Sequence, residues 1–123
     1  MAIFPDARSD ARVKLRIGTA AMAAGVDAAL LIEGWDGAPA AVTQAHFMLP
    51  GTLAHVSGCA CCLPRGPVAE SLSRLFLQRV RGEVPFFAEI VAVPATAAGE
   101  AAIRAALRDD AVIRARFRLV EGT

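Results

Sequence analysis

All three cysteines of this 123-residue chain fall within four consecutive positions, Cys59, Cys61 and Cys62, in the run Ser57-Gly58-Cys59-Ala60-Cys61-Cys62. Thiolates are soft ligands that favour zinc, copper(I) or the iron of iron–sulfur clusters, and one backbone turn that presents several sulfurs can hold a single ion. The bunching therefore predicts a shared role in metal binding for Cys59, Cys61 and Cys62, with Zn2+, or another transition metal such as Co2+, as the ion. The alternative is three small packing residues, since free cysteine is among the most buried types. Cysteines used only for packing would scatter along the chain. A structural zinc takes four ligands, so three thiolates leave one position to fill. The candidates are His55, His46, a carboxylate, a water, or a second chain that completes the site in a homodimer. The Cys59-x-Cys61 spacing is shorter than the Cys-x-x-Cys of thioredoxin-like redox sites, which makes thiol exchange the lesser alternative. Arg65, just past the loop, favours thiolates by its charge in either case.

Other chemistry-bearing residues carry weaker patterns. Glu33 and Asp36 flank Trp35 after an apolar run, at the kind of strand end where α/β folds place ligands, although turn carboxylates are more often simply solvated. Asp109-Asp110 reads as helix capping, and Arg104, Arg108, Arg114, Arg116 and Arg118 read as solvated helix and strand faces. Two histidines without a nucleophile elbow give no Ser-His-Asp arrangement, and no catalytic residue is assigned.

Composition narrows the class. The net charge is +1 and the basic residues are spread out, which argues against nucleic acid as a partner. The longest uncharged span, residues 37–64, includes Pro39, Gln44, His46, Pro50, His55 and Ser57, and so does not read as a membrane helix. Asp6, Arg8, Asp10 and Arg12 occupy the place where a secretory leader would have its apolar run. A reducing cytoplasm is the expected setting, in which clustered cysteines read as metal-binding rather than as a disulfide framework.

The elements that must position the cysteine loop follow from periodicity. Residues 1–16 are charged and aperiodic, an N-terminal arm or a short first helix, and residues 17–123 form the domain. A helix is expected over residues 17–26, a buried strand over 27–32, a short helix over 40–48 and a strand over 52–56 that leads directly into the cysteines. From Pro67 onward, Val68, Leu72, Leu75, Phe76, Arg79 and Val80 follow helical spacing, with proline at a first-turn position. The apolar run 86–93 ends at Pro94, as an interior parallel strand would. Helices over 97–107 and 110–116 and a last strand over 117–120 complete the series. Strands alternating with helices imply an α/β fold, a small three-layer domain with a mainly parallel sheet.

Taken together, Ser-Gly-Cys-Ala-Cys-Cys after a short strand, then Leu63, Arg65-Gly66, an amphipathic helix, an apolar strand and Ile113-Arg-Ala-Arg-Phe-Arg-Leu119, resemble the middle of the CobW-type metallochaperone GTPases, relatives of UreG and HypB. The likeness spans roughly residues 28–120. It implies a partial P-loop G domain whose Asn-Gly-Cys-x-Cys-Cys loop is a zinc or cobalt site, and a metalloprotein client as partner.

The departures are chemical. A Walker A loop needs a glycine-rich backbone, a lysine for the phosphates and an adjacent hydroxyl for magnesium. The lone lysine, Lys14, stands in Arg12-Val-Lys-Leu-Arg16 with no glycine before it and Leu15 after it. A chain without asparagine has no Asn-Lys-x-Asp guanine-reading motif. Where the family's strand leads into Glu-Thr-Thr-Gly, Val93-Pro-Ala-Thr96 offers neither carboxylate nor glycine. The resemblance thus implies a pseudo-GTPase that keeps its metal loop and has lost nucleotide binding and hydrolysis. Its alternative is a structural or interaction protein, or the partner subunit of a separate GTPase, without bound metal.

Overall fold

The computed structural model describes residues 11–23, 27–34, 42–49 and 66–120. Their five strands form one wholly parallel sheet: β1 (Val13–Ile17), β2 (Ala28–Glu33), β3 (Gln44–Phe47), β4 (Glu89–Val93) and β5 (Phe117–Leu119), in the order β3-β2-β4-β1-β5. Three α-helices, α1 (Pro67–Val80), α2 (Ala97–Asp109) and α3 (Ala111–Arg116), and a short 3-10 segment, Ala20–Ala23, accompany the strands. The α/β class and the parallel sheet expected from the alternating pattern are both present.

Alternation along each strand divides the sheet into two faces. Val13 and Leu15, Ala29 and Leu31, Ala45 and Phe47, Ile90 and Ala92, and Phe117 turn to one side. There they pack with Val68, Leu72 and Leu75 of α1, Ile103 and Leu107 of α2, and Ile113 of α3. On the other side Leu30, Ile32 and Val91 pack with Ala23 of the 3-10 segment. That second face changes character across the sheet. Register sets Lys14 beside Glu89 and Arg16 beside Val91, and Arg16 Nε donates to Glu89 Oε1 at 3.3 Å. The face is apolar over β2 and at Val91 of β4, and charged over β1 and at Glu89, where β4 begins.

Chain direction follows from right-handed crossovers. β1 connects leftward to β2, and β4 connects rightward to β5. Moves in opposite directions place their connections on opposite faces, which is where the 3-10 segment and α2 lie. Connections therefore diverge to opposite faces at the carboxyl end of β4, from β1 on one side, where the Gly18 N–H donates to the Ala92 carbonyl at 2.9 Å, and from β2 on the other.

Several local expectations need correction. Residues 13–16, read as part of a charged arm, build β1: two buried side chains, Val13 and Leu15, suffice because Lys14 and Arg16 have a polar face to occupy. Residues 17–26 do not form an α-helix where they are described: Ile17 closes β1, and only Ala20–Ala23 turn, as a 3-10 segment. Within 40–48 the described residues hold β3, not a helix, because Ala45 and Phe47 point inward and Gln44 and His46 pair in register with Leu30 and Ile32. The strand expected over 86–93 starts at Glu89. Phe87 is instead a buried plug below it, its carbonyl accepting from Arg79 Nε at 2.7 Å. The strand expected over 52–56 lies outside the described residues.

Helix α1 follows its sequence reading closely. Proline opens it, Val68, Leu72 and Leu75 are buried, and Ser71 Oγ donates to the His46 carbonyl at 3.1 Å, tying the helix to β3. It closes in a Schellman motif, with the Gly82 N–H donating to the Arg79 carbonyl and the Glu83 N–H to that of Gln78. Gly82 has φ +70°, and a Cβ there would meet no atom within 4 Å. The cost of a side chain is thus conformational alone. Gly82→Ala is expected to destabilise the fold by about 1 kcal/mol, measured by urea denaturation with an unchanged m-value.

Candidate functional site

Cys59, Cys61, Cys62 and His55 lie outside the described residues, and the structure defines the elements that precede and follow them in the chain. Segment 50–65 runs from the carboxyl end of β3, at the sheet edge, to Gly66 at the amino end of α1. The carboxyl ends of parallel strands are where α/β sheets hold ligands. The described groups at this rim are Glu33, Gly34, His46 and the Pro94-Ala95-Thr96 turn. Among the described residues, no group of three or more His, Cys, Asp or Glu side chains converges as a metal site.

His46 is engaged on both ring nitrogens. Nδ1 donates to the Gly34 carbonyl at 2.6 Å, and Nε2 stands 2.8 Å from Gln44 Oε1. The Gln44 amide is itself oriented by donating to the Val42 carbonyl at 3.0 Å. The ring thus ties the end of β2 to β3, and acting as a fourth metal ligand would require one of these bonds to break.

Glu33 is the carboxylate with the best-defined contacts. It ends β2 and reaches across the turn after β4 to the start of α2. The Ala95 N–H donates to its Oε1 at 2.7 Å, the Thr96 N–H at 2.9 Å, and the Thr96 hydroxyl donates to Oε2 at 2.9 Å. The same hydroxyl accepts from the Gly99 N–H at 2.9 Å as the helix N-cap. Gly99 makes this approach possible, since a Cβ there would collide with the Glu33 carboxylate. The position that a helix amino end offers to an anion is therefore filled from within. Partial desolvation pushes the Glu33 carboxyl upward, but the bonds from Ala95 and Thr96 outweigh it and hold the group below its ordinary value.

Glu33 and Gly99 are thus brought together in space beside the Pro94-Ala95-Thr96 turn. In sequence, Glu33 reads as a solvated turn residue. The one signal for its partner is Thr96, three residues before Gly99 and just after Pro94, a helix-start pattern. Asp36 lies outside the described residues. Asp110 caps a helix as its position predicts: its carboxylate accepts from the Val112 and Ile113 N–H groups at 3.0 and 3.1 Å. Asp109 instead grips Arg108 through two 2.9 Å bonds, and that hydrogen-bonded guanidinium lowers its carboxyl below the usual range.

Beside Gly66, where segment 50–65 joins α1, lies an open cleft of about 390 Å³ between Pro67 and Val68 of α1 and Ala102, Ala106 and Asp109 of α2. Its walls are mostly small and apolar, with Asp109 and Asp110 at one end. Comparison with protein-family models, with curated proteins and with solved structures finds no match to this chain.

The Glu33 contacts have a pH signature. A group whose value is lowered by folding contributes stability that is present above its unfolded value and lost as pH falls through the folded one. Wild type is therefore expected to melt above Glu33→Gln at neutral pH, with the gap closing as pH falls below the ordinary glutamate range. Gly99→Ala, which displaces the carboxylate, is expected to lose the same pH dependence despite alanine's better helix propensity. Melting temperatures of the three proteins from neutral to acid pH check both outcomes.

Proposed function

We propose that this chain is a non-enzymatic metal-binding protein of CobW-like character that holds zinc, or another transition metal such as cobalt, through Cys59, Cys61 and Cys62. The observation that carries the reading is the confinement of every thiol to four consecutive positions. The fold supports it by joining the cysteine segment to the carboxyl rim of a parallel sheet, next to a helix amino end. The ion would be held by deprotonated sulfurs, so binding releases protons and strengthens with pH. The fourth ligand comes from a water, a carboxylate or a second copy of the chain. The protein would act in the cytoplasm on a metalloprotein client. Among the described residues, no helix is long and apolar enough to cross a membrane.

The loss of nucleotide handling rests on two features of the rim. Among the described residues, β1 is followed by Gly18, Thr19 and a four-residue 3-10 segment, with no glycine-rich cradle for phosphates leading into an α-helix. The amino end of α2 already holds the Glu33 carboxylate. These features also favour the second reading, a structural or interaction pseudo-GTPase, or the partner subunit of a separate GTPase, without bound metal.

Metal content separates the two. Protein prepared under anaerobic conditions without chelator is expected to bind one equivalent of zinc per chain, or one per dimer, in native mass spectrometry. Cobalt-loaded protein is expected to show sulfur-to-cobalt charge transfer in the near ultraviolet. Cys59→Ser, Cys61→Ser and Cys62→Ser should each lose much of that band, because a serine hydroxyl stays protonated and hard at neutral pH. His55→Ala should keep most of it. A chain that binds neither ion at micromolar concentration is the non-metal protein of the second reading.

A further inference from the structure

Two arginine–aromatic stacks meet at the end of the domain away from the cysteine segment. The Arg116 guanidinium lies over the Phe76 ring, 4.5 Å from its centroid, and that of Arg79 lies 4.5 Å from the centroid of Phe86. Phe76 and Arg79 are three residues apart on α1, so the stacks are neighbours on one helix surface. α1 ends before β4 begins, Phe86 precedes β4, and Arg116 precedes β5. The stacks therefore stand at the amino ends of the strands, opposite the rim that receives segment 50–65.

Exposed apolar surface adjoins them. Val80, one turn after Phe76 and next to Arg79 in the chain, is 62% exposed, and Phe86 is 64% exposed, the highest values among large apolar side chains of the described residues. Open apolar side chains together with arginine and aromatic rings make the composition of an interface centre. The charge here is not neutralised by carboxylates. Arg79 Nε donates to the Phe87 carbonyl at 2.7 Å, an uncharged acceptor, and among the described residues neither Arg79 nor Arg116 forms an ion pair. Glu83, in the turn after α1, faces Arg81 at 3.9 Å. A ring attracts a cation through its quadrupole and leaves the net charge intact.

We infer that this surface docks an acidic, apolar peptide segment of a partner protein, with a bulky side chain against Val80 and Phe86 and carboxylates on Arg79 and Arg116. Charge complementarity selects this occupant, since two oriented cations beside open apolar side chains call for carboxylates and apolar surface in one ligand. Orientation by the rings lowers the entropy cost of engaging each guanidinium. A single-stranded nucleic acid would stack its bases on aromatic rings, and Phe76 and Phe86 each already carry a guanidinium. It would also need a longer track of cations than a chain of net charge +1 provides. The docking is independent of the metal proposed for the cysteine loop, because its residues lie at the other end of the sheet.

The test is selection of a displayed library of random peptides against the full chain, followed by calorimetry with the enriched peptide made synthetically. Enriched sequences should carry Asp or Glu on either side of a large apolar residue, and the affinity should fall with added salt. Val80→Ser/Phe86→Ser should weaken binding at least about tenfold, as loss of an interface centre does. Val80→Ser alone, which leaves both stacks in place, should weaken it severalfold, and so should Arg116→Gln. Arg74→Gln, which removes the same charge from the exposed side of α1, should change it less than about twofold, as should Met48→Ser, which alters an exposed apolar residue at the opposite rim. No enriched sequence, enrichment of basic or uncharged peptides, or an affinity untouched by the Val80 and Arg116 variants would each overturn the inference. Tighter binding of phosphatidylserine vesicles or of oligodeoxythymidine through the same residues would overturn it in favour of a membrane or a nucleic acid. A dimer in sedimentation that Val80→Ser/Phe86→Ser abolishes would overturn it in favour of a second copy of the chain.

Discussion

Strand β4 sets the conditions that everything else must meet. It is paired along both edges, to β1 and to β2, and its Ile90, Val91 and Ala92 are wholly shielded from solvent. A strand enclosed on four sides needs a neighbour at each edge and cover on each face. Because all pairings are parallel, each neighbour must arrive through a crossover. Two consequences follow. The helices gather where Ile90 and Ala92 need cover, and every strand opens its carboxyl end on the same rim. The place available for chemistry is therefore set by topology, before any particular reactive side chain is considered.

Glu33 shows how such a rim is used for architecture. Its carboxylate joins the end of one inner strand to the beginning of the helix that leaves another, across a turn that Thr96 and Gly99 shape around it. A negative group at a helix amino end is favourable for the same reason that phosphates bind there. An internal carboxylate in that position turns the favourable field to holding the domain together.

The parts of the fold that sequence made legible are those where one signal dominates. Helix α1 carries proline at its start, a four-residue apolar period and glycine at its close, all pointing the same way. β2 and β4 are continuous apolar runs, as interior strands require. β1 was obscured because its outward side chains, Lys14 and Arg16, belong to a charged patch of sheet face that local pattern cannot anticipate. β3 is four residues long within an alanine-rich stretch, too short for its alternation to compete with helical propensity. The cysteine run stands out by composition alone, whereas contacts between residues far apart in sequence are set by the fold. Glu33 with Gly99, and Arg12 with Arg114, are juxtapositions that only the crossovers create.

The pairing of β1 also bears on how the chain reaches its native state as it is made. Val13 and Leu15 are made before either neighbour of their strand, since β1 lies between β4 and β5, with Lys14 beside both Glu89 and Arg118. No partial chain that stops before β4 can seat the central strand, and none that stops before β5 can cover its outer edge. Loop closure over most of the sequence must precede the gain from those contacts, which places the committing step of folding late and makes it slow. During synthesis the early apolar strands are held without their partners, the condition under which chaperones engage nascent chains.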